Sequence, residues 1–164
     1  MRSDSLRLRI YPDSALRDCA QPVTEIDSFL QVTVREMADL MYRNKGIGLA
    51  APQVGLQRRL VIMDVGDGLL VLVNPEIILR EGRDRLEEGC LSLPQVLVDI
   101  DRSGQITVTG ITPAGKAIRR DLEGLAARVM QHEIDHLDGR LIIDYVSPVK
   151  KVLLKKQLKE LAKP

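Results

Sequence analysis

Residues 122–139 of the chain read LEGLAARVMQHEIDHLDG. Apolar residues recur there with helical spacing from Leu122 to about Leu137, and the Asp-Gly pair that follows is a typical helix end. Within the predicted helix, His132 and His136 are four residues apart, so both lie on one face, one turn from each other. The stretch therefore predicts a helix that presents two imidazoles side by side.

These two histidines are the only ones in the chain, and they suit a shared metal ion. Two imidazoles at this spacing can bind one ion while Glu133 beside them reaches a bound water. Leu125 and Val129 precede them on the same face, so the pair continues an apolar stripe that we expect to point into the protein. The alternative is a pair of ordinary polar residues on a helix. Because buried imidazoles need polar partners and one metal satisfies both, the pattern favours the metal.

A third ligand has to come from elsewhere, because a catalytic metal usually has three protein ligands and keeps a fourth position for water. The candidate is Cys90 in residues 88–94, EGCLSLP, where the glycine and the proline indicate a bend of the chain. A free cysteine on its own is more often a small buried side chain. Beside an incomplete histidine pair, we interpret Cys90 as the ligand.

Cys19, the other cysteine, is the competing or fourth ligand. Two cysteines and two histidines together would form a closed structural zinc site without a position for catalysis. No glycine or further ligand flanks Cys19 in residues 16–20, LRDCA. We therefore expect a buried or half-buried thiol at this position.

The third notable segment is glycine-rich: residues 46–55 read GIGLAAPQVG. Small residues let a backbone lie close against a ligand, and Gln53 offers an amide donor for a developing oxyanion. The segment is not a phosphate loop, because the Gly-Lys-[Ser/Thr] ending is missing and a helix precedes it. Taken alone, such a stretch is most often a tight turn.

The rest of the chain predicts strands between helices. One amphipathic helix covers about residues 24–44, and another follows Ser147-Pro148 near the C-terminus. For the second helix we expect these residues to face inward: Val149, Val152, Leu153 and Leu161. Aliphatic and β-branched runs predict strands at residues 59–65, 69–74, 96–101, 105–111 and 116–121.

The connections between these strands are too short for repeated crossover helices. The predicted fold class is therefore α+β, with largely antiparallel β-sheets packed around a central metal-binding helix and with N-terminal and C-terminal helices. We find no linker, so residues 1–164 are expected to form a single catalytic domain.

Composition narrows the class of protein. With 45% apolar residues the chain can form a core, while a net charge of +1 and 2% aromatic residues argue against a protein that coats nucleic acid. The N-terminus lacks the apolar core of a signal peptide, and no stretch reaches the roughly 18 apolar residues that span a bilayer. We expect a cytoplasmic protein without membrane contact.

Taken together, three segments resemble the peptide deformylase family. That family carries Gly-x-Gly-x-Ala-Ala-x-Gln, then Glu-Gly-Cys-x-Ser, then Gln-His-Glu-x-Asp-His. The chain has these motifs in the same order, at residues 46–53, 88–92 and 131–136. The resemblance spans nearly the whole chain and includes residues 74–76 and 144–145. A His-Glu-x-x-His motif alone also occurs in zinc peptidases, whereas three motifs in order are specific.

The resemblance implies hydrolysis of the N-formyl group from the initiator methionine of new polypeptides, with release of formate. It implies that Cys90, His132 and His136 bind one divalent metal, commonly Fe(II) in this family, while zinc, nickel or cobalt can occupy the same ligands. Glu133 would act as the general base and then as the acid that protonates the departing amine.

The resemblance also implies how the substrate is held. Gln53 and the backbone N–H of Leu91 would stabilise the oxyanion, acting on charge that develops only near the transition state. Ile47, Gly48 and Gly89 would hold the substrate backbone in an extended pose.

One departure and several alternatives stay open. After residue 94 many relatives have Gly or Glu and soon an Arg, whereas residues 95–98 here read QVLV, which leaves contacts beyond the methionine in doubt. Asp135 is either an anchor for a metal ligand or part of a helix-surface ion pair. A zinc endopeptidase would need a downstream third ligand, for which Glu160 near the chain end is the candidate. The non-catalytic alternatives are a zinc module closed by Cys19 and a diverged binding protein.

The resemblance implies formylmethionyl nascent peptides as partners, and the C-terminal helix suggests one more. The ribosome is a candidate partner, since five lysines of this helix could touch ribosomal RNA, and a solvated basic face is the alternative. The lysines are Lys150, Lys151, Lys155, Lys156 and Lys159. We expect the protein to be a monomer.

Overall fold

The structure is a computed structural model that describes residues 5–164, so residues 1–4 of the expected domain lie outside the described residues. Seven strands and three α-helices make up this part of the chain. The strands are β1 Gly48–Ala50, β2 Leu60–Met63, β3 Leu70–Glu81, β4 Asp84–Cys90, β5 Leu93–Arg102, β6 Gln105–Ile111 and β7 Ala117–Glu123. The helices are α1 Ser28–Arg43, α2 Gly124–Leu137 and α3 Pro148–Leu161. Short 3-10 helices cover Ser14–Leu16, Ala51–Val54 and Ile142–Tyr145.

The strands form two antiparallel sheets. One sheet has five strands in the order β1-β2-β3-β6-β7, and the other is the two-stranded β4–β5 hairpin. Helix α1 precedes all of these strands in the chain, and α2 and α3 follow them, which confirms the predicted α+β class.

Helix α1 follows the predicted periodicity. Asp27 caps it, because the Asp27 carboxylate accepts a hydrogen bond from the backbone N–H of Leu30 at 2.8 Å. The helix therefore begins at Ser28, four residues after the predicted start. Its buried apolar residues are Leu30, Val34, Met37, Ala38 and Met41.

Helix α2 and the β4–β5 hairpin belong to different apolar clusters. The inner face of α2 packs with strands β2, β3 and β6, and its contribution is Ala127, Val129, Met130, Ile134 and Leu137. Strand β5 packs instead with α3 and with the 3-10 helices Ser14–Leu16 and Ile142–Tyr145. This cluster includes Leu16, Val96, Val98, Ile100, Ile142 and Leu154. The metal motif of α2 and the cysteine motif of the hairpin thus meet at a boundary between two cores.

Two strands were not predicted. The glycine-rich segment forms β1, where Leu49 pairs with Ile62, and a 3-10 helix rather than only a turn. Strand β4 contains mostly charged residues with low strand propensity, and pairing with β5 stabilises it. Both strands form through pairing with a neighbour, which local sequence does not reveal.

The expectation for the inner face of α3 was wrong at three positions. Val149, Val152 and Leu153 are 72%, 71% and 70% exposed, and Leu154 is the buried residue. Leu154 and the half-buried Leu161 pack on the β5 cluster with Leu158, so the docked face is i, i+4, i+7 from Leu154. Helix α3 carries two apolar stripes, and the fold buries only one. No helix within residues 5–164 is both long enough and apolar enough to cross a membrane.

Candidate active site

The two motif histidines converge with Cys90. On α2, the Nε2 atoms of His132 and His136 are 3.2 Å apart, and the Cys90 Sγ atom lies 3.4 Å from His136 Nε2. One ligand atom from each of the three residues lies within 4.8 Å of the others. His136 is 1% exposed, and burial lowers the pKa of its imidazole well below the usual value. A neutral imidazole is the form that binds a metal.

The distances fit one divalent ion. Tetrahedral coordination with typical metal–nitrogen and metal–sulfur bonds places two nitrogen ligands about 3.3 Å apart and a nitrogen and a sulfur about 3.6 Å apart. The observed separations of 3.2 Å and 3.4 Å are close to these values. One cysteine and two histidines also leave one position of a four-coordinate ion for water or substrate.

Cys90 lies where β4 ends, directly before the turn that leads into β5. Its thiol lies against the histidines, and the turn that follows is the chain bend predicted for residues 88–94. Cys19, by contrast, is exposed and lies outside this group, so the expectation of a buried or half-buried thiol there was wrong. The reason is local: Ala20 donates to the carbonyl of Leu137 and is buried, which turns the preceding side chain outward.

Glu133 is the third polar residue of the helix motif, and it is 4% exposed. Its Oε2 atom has no hydrogen-bond partner within the described residues. Burial raises the pKa of the Glu133 carboxyl to about 7. A Cβ atom at Gly48 would clash with Glu133 Oε1 and with Val129, so the glycine lets β1 approach this carboxylate closely.

Gln53 lies across the site in the 3-10 helix Ala51–Val54, and both ends of its amide are held. Its Oε1 accepts from the backbone N–H of Ala50 at 2.9 Å. Its Nε2 donates to Ser92 Oγ at 3.2 Å and to Cys90 Sγ at 3.6 Å. The amide is thereby fixed with its donor beside the cysteine.

Glu88 joins the hairpin to the metal ligands, and sequence reasoning assigned it no role. Its Oε1 lies 2.9 Å from His132 Nδ1, which leaves His132 Nε2 free for a metal. Arg102 on β5 binds both carboxylate oxygens, at 2.6 and 2.9 Å. Burial pushes the Glu88 pKa upward, but the hydrogen bonds with His132 and Arg102 outweigh it and hold this pKa at about 2. For His132, burial alone would lower the pKa of the imidazole. The hydrogen bonds with Cys90 and Glu88 outweigh burial, so this pKa lies well above its usual value.

The same network continues to Asp135. Arg102 Nη1 donates to Asp135 Oδ2 at 2.9 Å, and the hydroxyl of Tyr145 donates to the same oxygen at 2.6 Å. Asp135 is therefore tied to the groups around the histidines, which favours the anchor over a surface ion pair.

A pocket of ≈ 430 Å³ opens beside these groups. The residues predicted to hold the substrate backbone line it: Ile47, Gly48 and Gly89. Leu91, in the turn after Cys90, lines it as well. Val129 is buried in its wall, whereas Leu125 is 51% exposed at its mouth, so the expectation that Leu125 points into the protein was wrong. Glu160, the alternative third ligand, lies exposed on α3 and outside the group.

Some of the residues that sequence reasoning missed had a signal. Glu88 opens the Glu-Gly-Cys-x-Ser motif, two residues before Cys90. Arg128 is one helical turn before His132, on the same face of α2. Ser92 closes the Glu-Gly-Cys-x-Ser motif. Arg102 had no such signal, because only the tertiary structure brings the end of β5 to the site.

This arrangement fits a class of site: one cysteine, two imidazoles and an adjacent carboxylate that could hold a single metal ion, the type used by metal-dependent hydrolases. The sequence profile described as polypeptide deformylase matches residues 5–152. The chain belongs to the polypeptide deformylase family.

Individual relatives agree with this assignment. The chain is 47% identical over 158 residues to the peptide deformylase of Thermotoga maritima, with 96% of both chains covered. The crystal structure of a peptide deformylase from Legionella pneumophila matches with a TM-score of 0.91 at 38% identity, covering 97% of this chain and 99% of that one. The crystal structure of the Thermotoga maritima peptide deformylase matches with a TM-score of 0.85 at 47% identity, covering 87% of this chain and 98% of that one.

Proposed function

We propose that the chain hydrolyses the N-formyl group from the N-terminal formylmethionine of newly made polypeptides and releases formate. Family membership supports the reaction. The observation that carries the proposal is the convergence of Cys90, His132 and His136 beside a pocket that Glu133 and Gln53 also line. That set provides ligands, a proton carrier and an oxyanion donor together.

The three ligands are proposed to hold Fe(II), with zinc, nickel and cobalt as the alternatives that a thiolate and two imidazoles also accept. Such an ion, when bound, acidifies a water molecule and polarises the oxygen of the formyl group. Metal analysis of protein purified without oxygen distinguishes these ions.

Glu133 is proposed to carry the proton. A carboxyl with a pKa of about 7 takes up and returns a proton readily at neutral pH, which suits a base that later protonates the departing amine. The proton first comes from the attacking water and is then delivered to the amine nitrogen as the carbon–nitrogen bond breaks.

Gln53 Nε2 and the backbone N–H of Leu91 are proposed to stabilise the oxyanion. The amide of Gln53 is held by Ala50 and Ser92, so its orientation is set before the reaction. The N–H that lies against Cys90 Sγ is the one proposed to reach the oxyanion. In comparable sites one such donor contributes roughly 2.7 to 4 kcal/mol to transition-state stabilisation.

The substrate backbone is proposed to lie extended between the β1 segment and the end of β4, along Ile47, Gly48 and Gly89. Val129 and Leu125 provide apolar surface for the methionine side chain, and a flexible thioether fits an irregular apolar wall well.

The direct test compares formyl-Met-Ala with acetyl-Met-Ala as substrates of the metal-loaded protein. We expect formate from the first peptide and no acetate from the second at the same enzyme concentration. Absence of formate from protein that holds one metal per chain would contradict the proposed substrate while leaving the metal site in place.

The chain is further proposed to act as one domain over residues 1–164 and as a monomer, since one chain supplies every ligand and site residue. A cytoplasmic location is proposed because two free thiols, one of them a metal ligand, suit a reducing compartment. Light scattering after size exclusion tests the monomer.

The ribosome is proposed as a partner through α3. Three of its lysines, Lys151, Lys155 and Lys159, line a groove of ≈ 480 Å³ between α3 and the N-terminal segment. Such a row of cations suits the phosphates of RNA. Co-sedimentation with ribosomes at several salt concentrations tests this proposal.

A further inference from the structure

The metal ligands come from two parts of the molecule that do not share a core. Cys90 is on the β4–β5 hairpin, which packs against Leu16 and Leu154, whereas His132 and His136 are on α2, which packs against the five-stranded sheet. The hairpin forms its own sheet and makes no strand pairing with the larger one. The separation between thiol and imidazoles therefore depends on contacts that cross this boundary.

Arg128 makes three of those crossing contacts. It lies on α2 one turn before His132 and is 4% exposed. Its Nη1 donates to Glu88 Oε2 at 2.5 Å and to the carbonyl of Ile100 at 3.0 Å, and its Nη2 donates to the carbonyl of Asp84 at 2.6 Å. Within residues 5–164, every hydrogen bond of this guanidinium goes to the hairpin, and its Nε has no partner.

Other polar contacts cross the boundary as well. Gln131 on α2 exchanges two hydrogen bonds with the backbone of Ser103, directly after the hairpin, and Cys90 Sγ lies against His136 Nε2. Arg102 also binds Glu88, but both residues belong to the hairpin, so that bond does not hold the hairpin on the helix. The bond from Arg102 to Asp135 does cross, and so does the contact from Glu88 to His132. Among the α2 residues that the structure describes, only Arg128 donates hydrogen bonds to both strands of the hairpin. It also binds the carboxylate of Glu88, which lies against His132.

We propose that Arg128 is a positioning residue of the metal centre: it docks the β4–β5 hairpin on α2 and so sets Cys90 against His132 and His136. The proposal rests on the proposed metal site but not on the proposed substrate. Loss of the guanidinium lets the hairpin move relative to the helix, which weakens metal binding without removing any ligand.

The test measures Co(II) affinity and the Co(II)–thiolate absorption band in wild-type protein, Arg128→Met and the control Arg85→Met. Arg85 is an exposed arginine of the same hairpin, paired with Asp101 at 3.4 Å. We expect Arg128→Met to bind Co(II) on the order of 10-fold more weakly, as for other residues that support metal ligands, with an altered band. Arg85→Met should match wild type. Equal affinity and equal spectra in all three proteins would overturn the proposal.

Two further variants distinguish the positioning role of Arg128 from a role in stability alone. Val34→Ala lowers stability in the α1 cluster, away from the boundary, and should leave Co(II) affinity unchanged. If Val34→Ala lowers Co(II) affinity as much as an Arg128 variant of equal stability does, the positioning role of Arg128 is refuted. If Arg128→Met does not fold, Arg128→Lys takes its place in the test. This variant keeps the positive charge but loses the planar guanidinium that binds several acceptors at once. We then expect an affinity several-fold below wild type, and wild-type affinity contradicts the proposal.

The outcome is separable from that of the proposed reaction. Co(II) affinity and the absorption band are read without substrate, so they report on Arg128 even if formyl peptides are not cleaved. Conversely, normal formate release by wild-type protein with no effect of Arg128→Met on Co(II) would reject only the positioning role.

Discussion

Helices α2 and α3 are both fourteen residues long, and their surroundings are opposite. Nine residues of α2 are buried, including Arg128, Glu133 and His136, whereas α3 buries Leu154 alone. Sheet and hairpin surround α2, and α3 covers one edge of the hairpin cluster. The depth of a helix within the layers, more than its own apolar content, decides which of its residues can form a site.

The charges on the two helices differ in the same way. On α2 the buried ionisable groups are held by partners or directed at the metal position, and burial raises the pKa of Glu133 to about 7. On α3 the lysines remain in solvent. Burying an ionisable group is costly unless a partner compensates it or its pKa shifts toward the neutral form. Matched substitutions in the two helices should therefore have very different effects.

The largest effect is expected from Glu133→Ala on α2. Removing the proton carrier should lower formate release roughly 100- to 10,000-fold. Metal content should be unchanged, because Glu133 is not one of the three converging ligand groups. The control is Glu160→Ala on α3, an exposed glutamate paired with Lys163, which should keep wild-type activity. Equal activity of the two variants would remove Glu133 from the mechanism.

Next in size is Gln53→Ala, which removes the fixed amide donor opposite α2. We expect kcat for formate release to fall roughly 100- to 1,000-fold with the metal retained. The matched control is Gln157→Ala on α3, where an exposed amide donates to the carbonyl of Gln95. Steady-state kinetics with metal analysis checks both variants, and an unchanged kcat for Gln53→Ala argues against an oxyanion role.

A third pair compares packing rather than chemistry. Met130 on α2 is 1% exposed, and Met130→Ala should lower the free energy of unfolding by about 2 to 5 kcal/mol. Val152 on α3 is largely exposed, and Val152→Ala should change it by no more than about 0.5 kcal/mol. Urea unfolding measures both. A large loss from Val152→Ala would mean that this face of α3 is covered in solution.

The smallest effect on the reaction is expected from the lysines of α3. Replacing Lys151, Lys155 and Lys159 by Gln should leave formate release from a short peptide unchanged and weaken co-sedimentation with ribosomes. The salt dependence of that binding should also become less steep, since fewer phosphates are neutralised. The control removes three exposed cations of the β7 region: Lys116, Arg119 and Arg120. If both triple variants behave alike, the contact is not specific to α3.

The same comparison explains what the sequence could predict. Helix α2 combines periodicity with a spaced ligand motif, so its existence, its end at Leu137 and the convergence of its histidines follow from local rules. Its start was predicted two residues early, because Leu122 and Glu123 belong to strand β7 and the helix begins at Gly124. The periodicity of α3 also predicts a helix. However, it contains two apolar stripes, and only docking on β5 selects the stripe of Leu154 over that of Val152.

The site divides along a similar line. Gln53, Cys90 and the α2 motif were found because each lies in a recognisable segment. Arg102 was missed because its neighbours in the chain carry no metal motif, and only the fold brings it to Glu88 at 2.6 Å. Contacts between distant segments depend on strand register and core packing, which the local pattern does not encode.

The most direct test of the account is a metal titration with formate release as the readout. Chelated protein is titrated with Fe(II) without oxygen, in parallel with Cys90→Ala. We predict no release from the metal-free protein, a linear rise that saturates at one ion per chain, and little release from Cys90→Ala over the same range. Release from metal-free protein, or an unchanged titration in Cys90→Ala, would contradict a reaction that depends on the Cys90, His132 and His136 centre.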